Sequence, residues 1–361
     1  MTLARLQIEQ FRNVRNASLA LHPEINLIHG LNGSGKSSLL EAVYVLSCGR
    51  SFRTAKLGSV VMRDADRCVI FGEVASGGGA VSRLGFARWQ DGRREVKLNS
   101  VPVRRFSELA YLLPSVSIGP ESVDLLVGGP GQRRQFINRG VFHVEPGFAS
   151  IWRELEHVLR QRNALLRGGA SAHQVAVWTS PFIERCERVS EWCETYIEDV
   201  RSHFFEIWGE MDGPKGMEIR YYRGWDAKRD LAAILEERLV SDQQRGFTQA
   251  GSHRADLRVQ RNKGSATDNL SRGELKLAAW ALLVAQARTQ GDRCLLLVDD
   301  LPSELDRVRR RSIWNSLVES RCQIVATGVE PRDLDFAGDR GNVFHVKQGE
   351  VSPDQMRGHN G

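Results

Sequence analysis

Residues 30–37 read Gly-Leu-Asn-Gly-Ser-Gly-Lys-Ser, which matches the phosphate-binding pattern of glycine, four residues, glycine, lysine and a serine or threonine. Glycines at this spacing let the backbone turn its amide groups onto a phosphate, and the start of a helix adds a positive dipole end. Lys36 adds a point charge, and Ser37 offers a hydroxyl to Mg²⁺. The stretch therefore predicts a nucleotide-binding loop, against the alternative of a plain glycine-rich turn.

The sequence on either side of this loop supplies the strand and the helix that the pattern requires. Residues 25–29 form a short apolar run that is typical of a buried strand. Residues 37–47 carry apolar side chains at helical spacing, including Leu39, Val43 and Leu46. This order of strand, loop and helix favours the nucleotide-binding interpretation over the plain turn.

Length and composition indicate a soluble globular protein. The 361 residues suit two domains, or one domain with a large insertion. No apolar run approaches the ~20 residues that a membrane helix needs, and Arg5, Glu9 and Arg12 interrupt the N-terminal segment where a signal peptide would be apolar. The six cysteines are scattered without a Cys-x-x-Cys pair. We therefore expect a cytoplasmic protein with reduced thiols.

The net charge of +6 permits binding to nucleic acid without requiring it. Residues 1–130 hold 16 Lys and Arg against 11 Asp and Glu, so the excess positive charge lies in the N-terminal third. The candidate DNA contacts are Arg93, Arg94, Arg104 and Arg105, together with residues 309–311. Each group is open to two interpretations, because exposed arginines either contact phosphates or form an ordinary solvated face.

The apolar spacing changes along the chain. Residues 1–10 alternate like a first strand before a turn at 11–13, and several strand-like runs between 58 and 105 predict an antiparallel sheet. From Phe148 onward two apolar stripes at helical spacing predict a pair of helices, the second beginning after Pro181. We interpret the aromatic and cysteine residues of the second stripe as helix core rather than as a cofactor or metal surface.

A second candidate part of the site follows the apolar run 294–298, which ends on Asp299 and Asp300. The first carboxylate can hold the Mg²⁺ that Ser37 also contacts, and the second can orient or deprotonate an attacking water. Asp299 lies 263 positions after Lys36, much farther than in a compact kinase or small GTPase. We infer that a large segment is inserted between the two elements.

Ser271-Arg272-Gly273-Glu274 precedes a strongly apolar helix and admits two interpretations. A capping box of Ser271 and Glu274 explains the residues without any function. A Ser-x-Gly at the start of a buried helix, 28 residues before the acidic strand, is also the layout of an ABC-type ATPase, where it contacts the γ-phosphate bound to another subunit. Residues 303–306 and Thr327 then stand where such a head has its subunit-contacting loop and its switch residue.

These observations predict an α/β fold, namely an ABC-type P-loop ATPase head with mixed and antiparallel sheets plus an inserted α-helical arm. We expect the head at 1–140 and 245–361, folded together, and the arm at 141–244. A transport ATPase subunit would have a glutamine loop and a switch histidine, and the sequence has neither. A small-molecule P-loop kinase would need neither Ser271 nor a dimer.

The whole set resembles the RecF family, which belongs to the SMC branch of the ABC-type ATPases and acts in recombinational DNA repair. The resemblance covers nearly the full length, and its motifs besides 30–37 are residues 11–13, 49–54, 119–121, 133–136, 246–248, 253–257, 299–301 and 303–306. It implies an ATP-induced homodimer that binds double-stranded DNA at gaps or single-strand/double-strand junctions, in DNA replication, repair and the SOS response. It also implies a weak DNA-dependent ATPase used as a switch, and help for RecR and RecO in loading RecA. The alternative is an ABC-type subunit that drives another machine, in transport or chromosome organisation.

The resemblance also assigns roles to individual residues. The ATP contacts are Gly30, Leu31, Asn32, Gly33, Ser34, Gly35, Lys36, Ser37, Arg12 and Asn13. The Mg²⁺ ligands are Ser37 and Asp299, and the catalytic residues are Asp300, Lys36 and Thr327. The contacts to the partner's nucleotide are Ser271, Arg272, Gly273 and Asp306.

The sequence departs from the family pattern at several positions. Glu274 stands where glutamine is usual, and it would repel a γ-phosphate unless it turned away. Ser252 replaces a proline before His253-Arg254, a pair that either contacts nucleotide or DNA or anchors a loop. Asp300 and Thr327 replace the glutamate and histidine of ABC transporters, which agrees with a slow, switch-like ATPase.

Overall fold

The computed structural model describes residues 1–54, 56–104, 106–300, 307–329 and 340–354; Arg105 and Asp306 therefore lie outside the described residues. Within these ranges the strands are β1 (Thr2–Phe11), β2 (Val14–Ala20), β3 (Ile25–His29), β4 (Arg67–Ala75), β5 (Val81–Trp89), β6 (Arg94–Leu98), β7 (Val101–Pro102), β8 (Ser115–Ile118), β9 (Met217–Tyr222), β10 (Asp256–Arg261), β11 (Gly264–Ser265), β12 (Leu295–Val298), β13 (Gln323–Gly328), β14 (Gly341–Lys347) and β15 (Glu350–Pro353). The α-helices are α1 (Lys36–Cys48), α2 (Phe106–Leu112), α3 (Asp124–Val127), α4 (Pro130–Val144), α5 (Phe148–Arg167), α6 (Ala172–Glu210), α7 (Leu231–Glu237), α8 (Leu239–Arg245), α9 (Ala266–Asn269), α10 (Arg272–Gln290) and α11 (Arg307–Glu319).

The N-terminal sheet has the strand order β2-β1-β4-β5-β6-β7, and every neighbouring pair is antiparallel. Its strands alternate because one face is buried: Ile70 on β4 and Phe86 on β5 point into the core, while Arg67 and Arg83 on the same strands are exposed. The antiparallel sheet expected between residues 58 and 105 is confirmed.

The central sheet has the order β15-β14-β3-β13-β12-β8, and its strands are parallel except for the β14–β15 hairpin. Strand β12 is apolar and buried throughout, and β13 is also buried throughout although it contains Gln323 and Thr327. Strand β13 lies between β3 and β12. The carboxyl ends of these three parallel strands therefore meet at one edge of the sheet. Residues 30–37 follow β3 there, Asp299 follows β12, and Thr327 is the last residue but one of β13.

The chain divides into two compact units. The first contains Met1–Ser122, Glu206–Gly213 and Lys276–Gly361, and the second contains Val123–Phe205 and Pro214–Leu275. Residues 123–140 and 245–275, which we expect in the head, thus group with the long helices, while residues 206–213, which we expect in the arm, group with the first unit. The cause is sheet pairing and an ion pair, because β10 pairs with β9, and Arg133 Nε of α4 lies 2.7 Å from Asp256 Oδ1. The assignment of the two units to a head and an arm stays a prediction.

Helix α6 begins earlier than we expected. The sequence predicts Pro181 at the start of a helix, but Pro181 lies inside α6, so that prediction is wrong. A proline inside a helix leaves the carbonyl four residues earlier, here that of Val177, without its amide donor. The apolar stripe that follows is buried, including Phe182, Cys186 and Phe204. No helix in the described ranges has the length and apolar character to cross a bilayer.

The second unit contains a fully buried ion pair between α5 and α8. Arg162 of α5 lies 3.1 Å from Asp242 of α8 and donates to the Thr248 hydroxyl at 2.5 Å, and none of the three side chains is more than 1% exposed. A buried ion pair is costly to break from one side, because the remaining charge is left unpaired.

Replacing Arg162 with methionine should lower the free energy of unfolding by about 3–5 kcal/mol, measured by urea denaturation. The double variant Arg162→Met/Asp242→Leu should recover much of that loss, since it removes both charges. Arg188→Met removes an exposed arginine that pairs with Glu191 on the surface, and should cost less than about 1 kcal/mol. A loss for Arg162→Met as small as that of the control would contradict the prediction.

Candidate nucleotide-binding site

The loop 30–37 has a backbone that only glycine adopts readily. Gly30, Gly33 and Gly35 have φ angles of 150°, 80° and 120°. A Cβ on Gly30 would lie 2.2 Å from the carbonyl oxygen of Val346. Lys36 begins α1 directly after Gly35, so the loop leads into a helix N-terminus as the phosphate-binding pattern requires.

Asn13 and the β14–β15 turn brace this loop. Asn13 Nδ2 donates to the Gly33 carbonyl at 3.1 Å, and its Oδ1 accepts from the Ser38 hydroxyl at 2.8 Å. The amide of Gly349 donates to the Ser34 carbonyl at 2.7 Å. Sequence reasoning missed the contribution of Gly349, whose only signal is a Gln-Gly turn between two strand-like runs.

Lys36 lies over the loop with its side chain buried. Its Nζ donates to the carbonyls of Gly30 and Leu31, at 2.6 and 3.1 Å. Burial lowers the pKa of Lys36, while the nearby carboxylates of Asp300 and Asp299 oppose that shift. The structure thus places the ammonium group on the loop carbonyls, where the charges of Asp300 and Asp299 still act on it.

Two hydroxyls converge on the carboxylate of Asp299. Its Oδ1 accepts from Ser37 Oγ at 2.9 Å and from Thr327 Oγ1 at 2.7 Å, and Asp299 and Thr327 are both buried. Burial raises the pKa of Asp299, against the opposing effect of these two hydrogen bonds. The donor set consists of oxygens alone, which Mg²⁺ prefers. Sequence reasoning paired Ser37 with Asp299 and left Thr327 in a separate role, whereas the structure brings all three together.

Asp300 follows in a left-handed conformation, with φ of 55°. Its backbone amide donates to Thr327 Oγ1 at 3.0 Å. Thr327 therefore accepts from Asp300 and donates to Asp299, and it links the candidate catalytic carboxylate to the candidate Mg²⁺ ligand.

Residues 119–121, to which the sequence assigned no role, lie beside the same carboxylate. A Cβ on Gly119 would lie 3.4 Å from Asp299 Cβ and 3.4 Å from Glu121 Oε2. The segment therefore brings a second acidic side chain near Asp299, at a place where the sequence offered no glutamine loop.

Ser271 and Glu274 form both hydrogen bonds of a capping box. Ser271 Oγ accepts from the Glu274 amide at 3.3 Å, and Glu274 Oε2 accepts from the Ser271 amide at 2.7 Å. Glu274 is thus turned back onto its own helix start. Ser271, Arg272 and Gly273 are exposed, and a Cβ on Gly273 would meet no described atom within 4 Å. These residues belong to the second unit up to Leu275, and the loop 30–37 belongs to the first.

The candidate DNA contacts lie around the β5–β6 hairpin of the N-terminal sheet. Arg93 pairs with Asp91 at 2.7 Å, and its guanidinium lies 5.3 Å from the centre of the Trp89 ring. Arg94 lies 5.5 Å from the centre of the Phe106 ring, and Arg104 is exposed. Residues 309–311 lie apart in sequence, on α11.

His253 is held as a loop anchor. Its Nε2 lies 2.9 Å from the Thr248 carbonyl oxygen, and burial lowers its pKa to about 4, so the ring is neutral at physiological pH. Ser252 is buried, and its hydroxyl donates to the Cys186 carbonyl at 2.7 Å. The departure from proline at this position therefore has a structural cause inside the second unit.

The comparisons with known proteins agree over almost the whole chain. A family model described as the RecF/RecN/SMC N terminal domain matches residues 2–352. The chain is 39% identical over 360 residues to the DNA replication and repair protein RecF of Pseudomonas fluorescens strain SBW25, covering 98% of each chain. It is 40% identical over 358 residues to the RecF protein of Shewanella baltica strain OS223, covering 98% of this chain and 99% of that one.

Solved structures show the same fold. The recombination mediator protein RecF with ATPrS has a TM-score of 0.82 at 25% identity, covering 97% of each chain. An SMC head bound to the C-winged helix domain of ScpA has a TM-score of 0.61 at 14% identity, covering 98% of each chain. The fold and the residue arrangement define the class as an ABC-type P-loop ATPase head, which confirms the predicted fold class. Within that class, the chain belongs to the RecF family of DNA replication and repair proteins.

Proposed function

We propose that this protein is an ATP-dependent DNA-binding switch of recombinational repair. The observation that carries the proposal is the convergence of Ser37, Asp299 and Thr327 at the end of a glycine-rich loop whose backbone can receive phosphates. Membership in the RecF family supports DNA as the partner. One of the solved RecF structures that it resembles holds ATPrS, which supports ATP as the nucleotide.

The residues of the loop fit ATP with Mg²⁺. Ser34 Oγ is buried and has no hydrogen-bond partner among the described residues, as expected of a group that faces a polar ligand. Backbone amides of residues 30–37 and the ammonium of Lys36 would bind the phosphates, with Arg12 and Asn13 beside them. Ser37 and Asp299 would hold Mg²⁺, which neutralises phosphate charge when it is bound.

Hydrolysis would depend on Asp300 and Thr327. We assign Asp300 to orient or deprotonate the attacking water. Thr327 would fix the Asp300 backbone and the Asp299 carboxylate relative to each other through its two hydrogen bonds. An aspartate is one methylene shorter than the glutamate of ABC transporters, which favours slow turnover. A slow rate suits a switch, because the nucleotide state then lasts long enough to time dimer dissociation.

We infer that ATP is enclosed between two copies of the chain. Ser271, Arg272, Gly273 and Asp306 would contact the nucleotide of the partner. The exposed start of α10, with the Glu274 carboxylate turned back, supports this role because it leaves the Gly273 backbone uncovered and keeps the negative charge in the capping box. Nucleotide that binds the dimer more tightly than the monomer then drives association by mass action.

The DNA partner would be a gapped duplex or a single-strand/double-strand junction, in the cytoplasm. Our candidate phosphate contacts are Arg93, Arg94, Arg104 and Arg105. The proposed protein partners are RecR, RecO and RecA.

The RecA step is tested by comparing RecA assembly on gapped DNA, in the presence of RecR and RecO, with and without this protein. Equal assembly in both arms would contradict the mediator role.

Replacing the candidate phosphate contacts Arg93, Arg94 and Arg104 should weaken DNA binding and reduce its dependence on salt concentration. In the triple variant Arg93→Gln/Arg94→Gln/Arg104→Gln, we expect at least a tenfold loss of affinity for gapped DNA with ATP and Mg²⁺, measured by fluorescence anisotropy. Each lost phosphate contact lowers the slope of log affinity against log salt by ~0.9. The control Arg188→Gln/Arg201→Gln/Arg220→Gln removes three arginines of the second unit, two exposed and one half-buried. An unchanged slope in the first variant would contradict this DNA surface.

A further inference from the structure

Glu41 is a fully buried carboxylate on α1, five residues after Lys36. It belongs to neither the phosphate-binding loop nor the acidic strand end, and the proposed function gives it no role. A buried carboxylate is costly unless cations and hydrogen-bond donors surround it. The partners of Glu41 therefore indicate what its burial achieves.

The first partner is Arg12, in the turn that follows β1. Arg12 Nη2 and Nε donate to the two oxygens of Glu41, at 2.7 and 3.0 Å, in a bidentate pair. The Arg12 backbone has a φ of 54°, and its Nη1 also donates to the Ser59 carbonyl at 2.8 Å. Glu41 thus fixes the side chain of a strained turn residue whose neighbour, Asn13, braces the phosphate-binding loop.

The second group of partners comes from the segment after α1. Ser51 Oγ donates to Glu41 Oε1 at 2.6 Å and accepts from the amides of Arg53 and Thr54, at 2.9 and 3.0 Å. Arg53 Nη1 lies 3.8 Å from Glu41 Oε2. One carboxylate therefore anchors the turn at residues 12–13 and the segment 51–54, which are far apart in sequence.

The cluster adjoins the phosphate-binding loop through its own residues. Glu41 lies on α1, which begins at Lys36, and Arg12 precedes Asn13, whose Nδ2 donates to the Gly33 carbonyl. Two arginines share one carboxylate, which leaves an excess of one positive charge beside the loop. The Arg53 side chain is 44% exposed and the Arg12 side chain 23%, so both guanidinium groups have a solvent-facing part.

We propose that Glu41 is a positioning residue of the nucleotide site, which holds the guanidinium groups of Arg12 and Arg53 beside the phosphate-binding loop without itself contacting the nucleotide. This inference rests on the proposed function, because it assumes that the loop binds ATP. The positioning role and a simple charge effect predict opposite changes in ATP affinity when Glu41 is replaced. Removing a negative charge near bound phosphates should tighten ATP binding, whereas removing an anchor for two arginines should weaken it.

The test is the dissociation constant for ATP with Mg²⁺, measured by calorimetry on the full chain, in Glu41→Gln and Glu41→Asp. We expect Glu41→Gln to weaken ATP binding at least tenfold. Glu41→Asp keeps a buried anion for folding but is too short to reach both arginines, and it should weaken binding at least threefold. Glu41 acts through Arg53 in part. The double variant Glu41→Gln/Arg53→Gln should therefore lose less ATP affinity than the product of the fold-losses of the two single variants.

The matched control is Asp242→Asn, which neutralises another fully buried carboxylate that binds an arginine, in the second unit. It should lower the melting temperature and leave the ATP dissociation constant within twofold of the parent. Unchanged or tighter ATP binding in both Glu41 variants would overturn the positioning role, while the parent's affinity would still support the proposed function. A parent that binds no ATP would overturn the proposed function and this inference with it.

Discussion

Replacing Ser271 with arginine should abolish ATP-driven dimerisation, while the variant monomer still binds ATP. The serine is exposed at the start of α10, so an arginine there has room in the monomer. In the proposed dimer the same position meets the partner's nucleotide, and a long side chain would hold the two copies apart. The lost capping bond costs about 1 kcal/mol, which is too little to unfold the protein. Sedimentation velocity with and without ATP and Mg²⁺ gives the dimer fraction, and a fluorescent ATP analogue gives the affinity.

The matched control for this variant is Ser265→Arg. Ser265 is a second exposed serine of the same unit that caps a helix, since its side chain accepts from the Thr267 amide at the start of α9. It should dimerise like the parent. Persistent ATP-dependent dimers in Ser271→Arg would remove the argument that the start of α10 contacts nucleotide in the other copy.

Lys36→Ala should weaken ATP binding by at least a hundredfold, equivalent to about 2.7 kcal/mol. The ammonium group is buried over the loop and within electrostatic range of Asp299 and Asp300, so no other described charge of the loop can replace it. Lys36→Arg tests geometry separately from charge, because a planar guanidinium does not fit the place of a compact ammonium. Calorimetric titration with ATP and Mg²⁺ measures both variants.

The control for lysine removal is Lys97→Ala, which truncates a half-exposed lysine of the same unit that pairs with Glu95. Its ATP affinity should equal that of the parent, and its unfolding transition shows the cost of losing an ordinary surface lysine. ATP binding by Lys36→Ala within threefold of the parent would contradict the phosphate-binding role of the loop.

The parts of the fold that the sequence predicts are those with a local signature. The glycine spacing of residues 30–37, the buried run before Asp299 and the alternation in β4 and β5 each reflect a rule that acts over a few residues. The place of β13 between β3 and β12 is a pairing of distant segments, and no local pattern encodes it. For that reason Thr327 could be predicted as a strand-end hydroxyl but not as the bridge between Asp299 and Asp300.

The buried charges follow the same division. Glu41 and Arg12 are 29 residues apart, and Arg162 and Asp242 are 80 apart, so each partner looks like an isolated charge in the sequence. Pro181 misled the helix assignment for a related reason. Its local preference favours a helix start, while the long buried stripe of α6 carries the helix through it.

The capping hydroxyl of Ser271 has a consequence for which amino acids this position tolerates. Aspartate and asparagine cap the N-terminus of a helix as well as serine does. The stability of α10 alone would therefore accept any of the three residues at this position. The Ser271 hydroxyl oxygen accepts a hydrogen bond from the Glu274 amide, and its O–H group can still donate one to a ligand. An ionised aspartate can accept but cannot donate, and it adds a negative charge. If a second copy presents its triphosphate here, acidic replacements should be excluded even though the isolated monomer would fold with them.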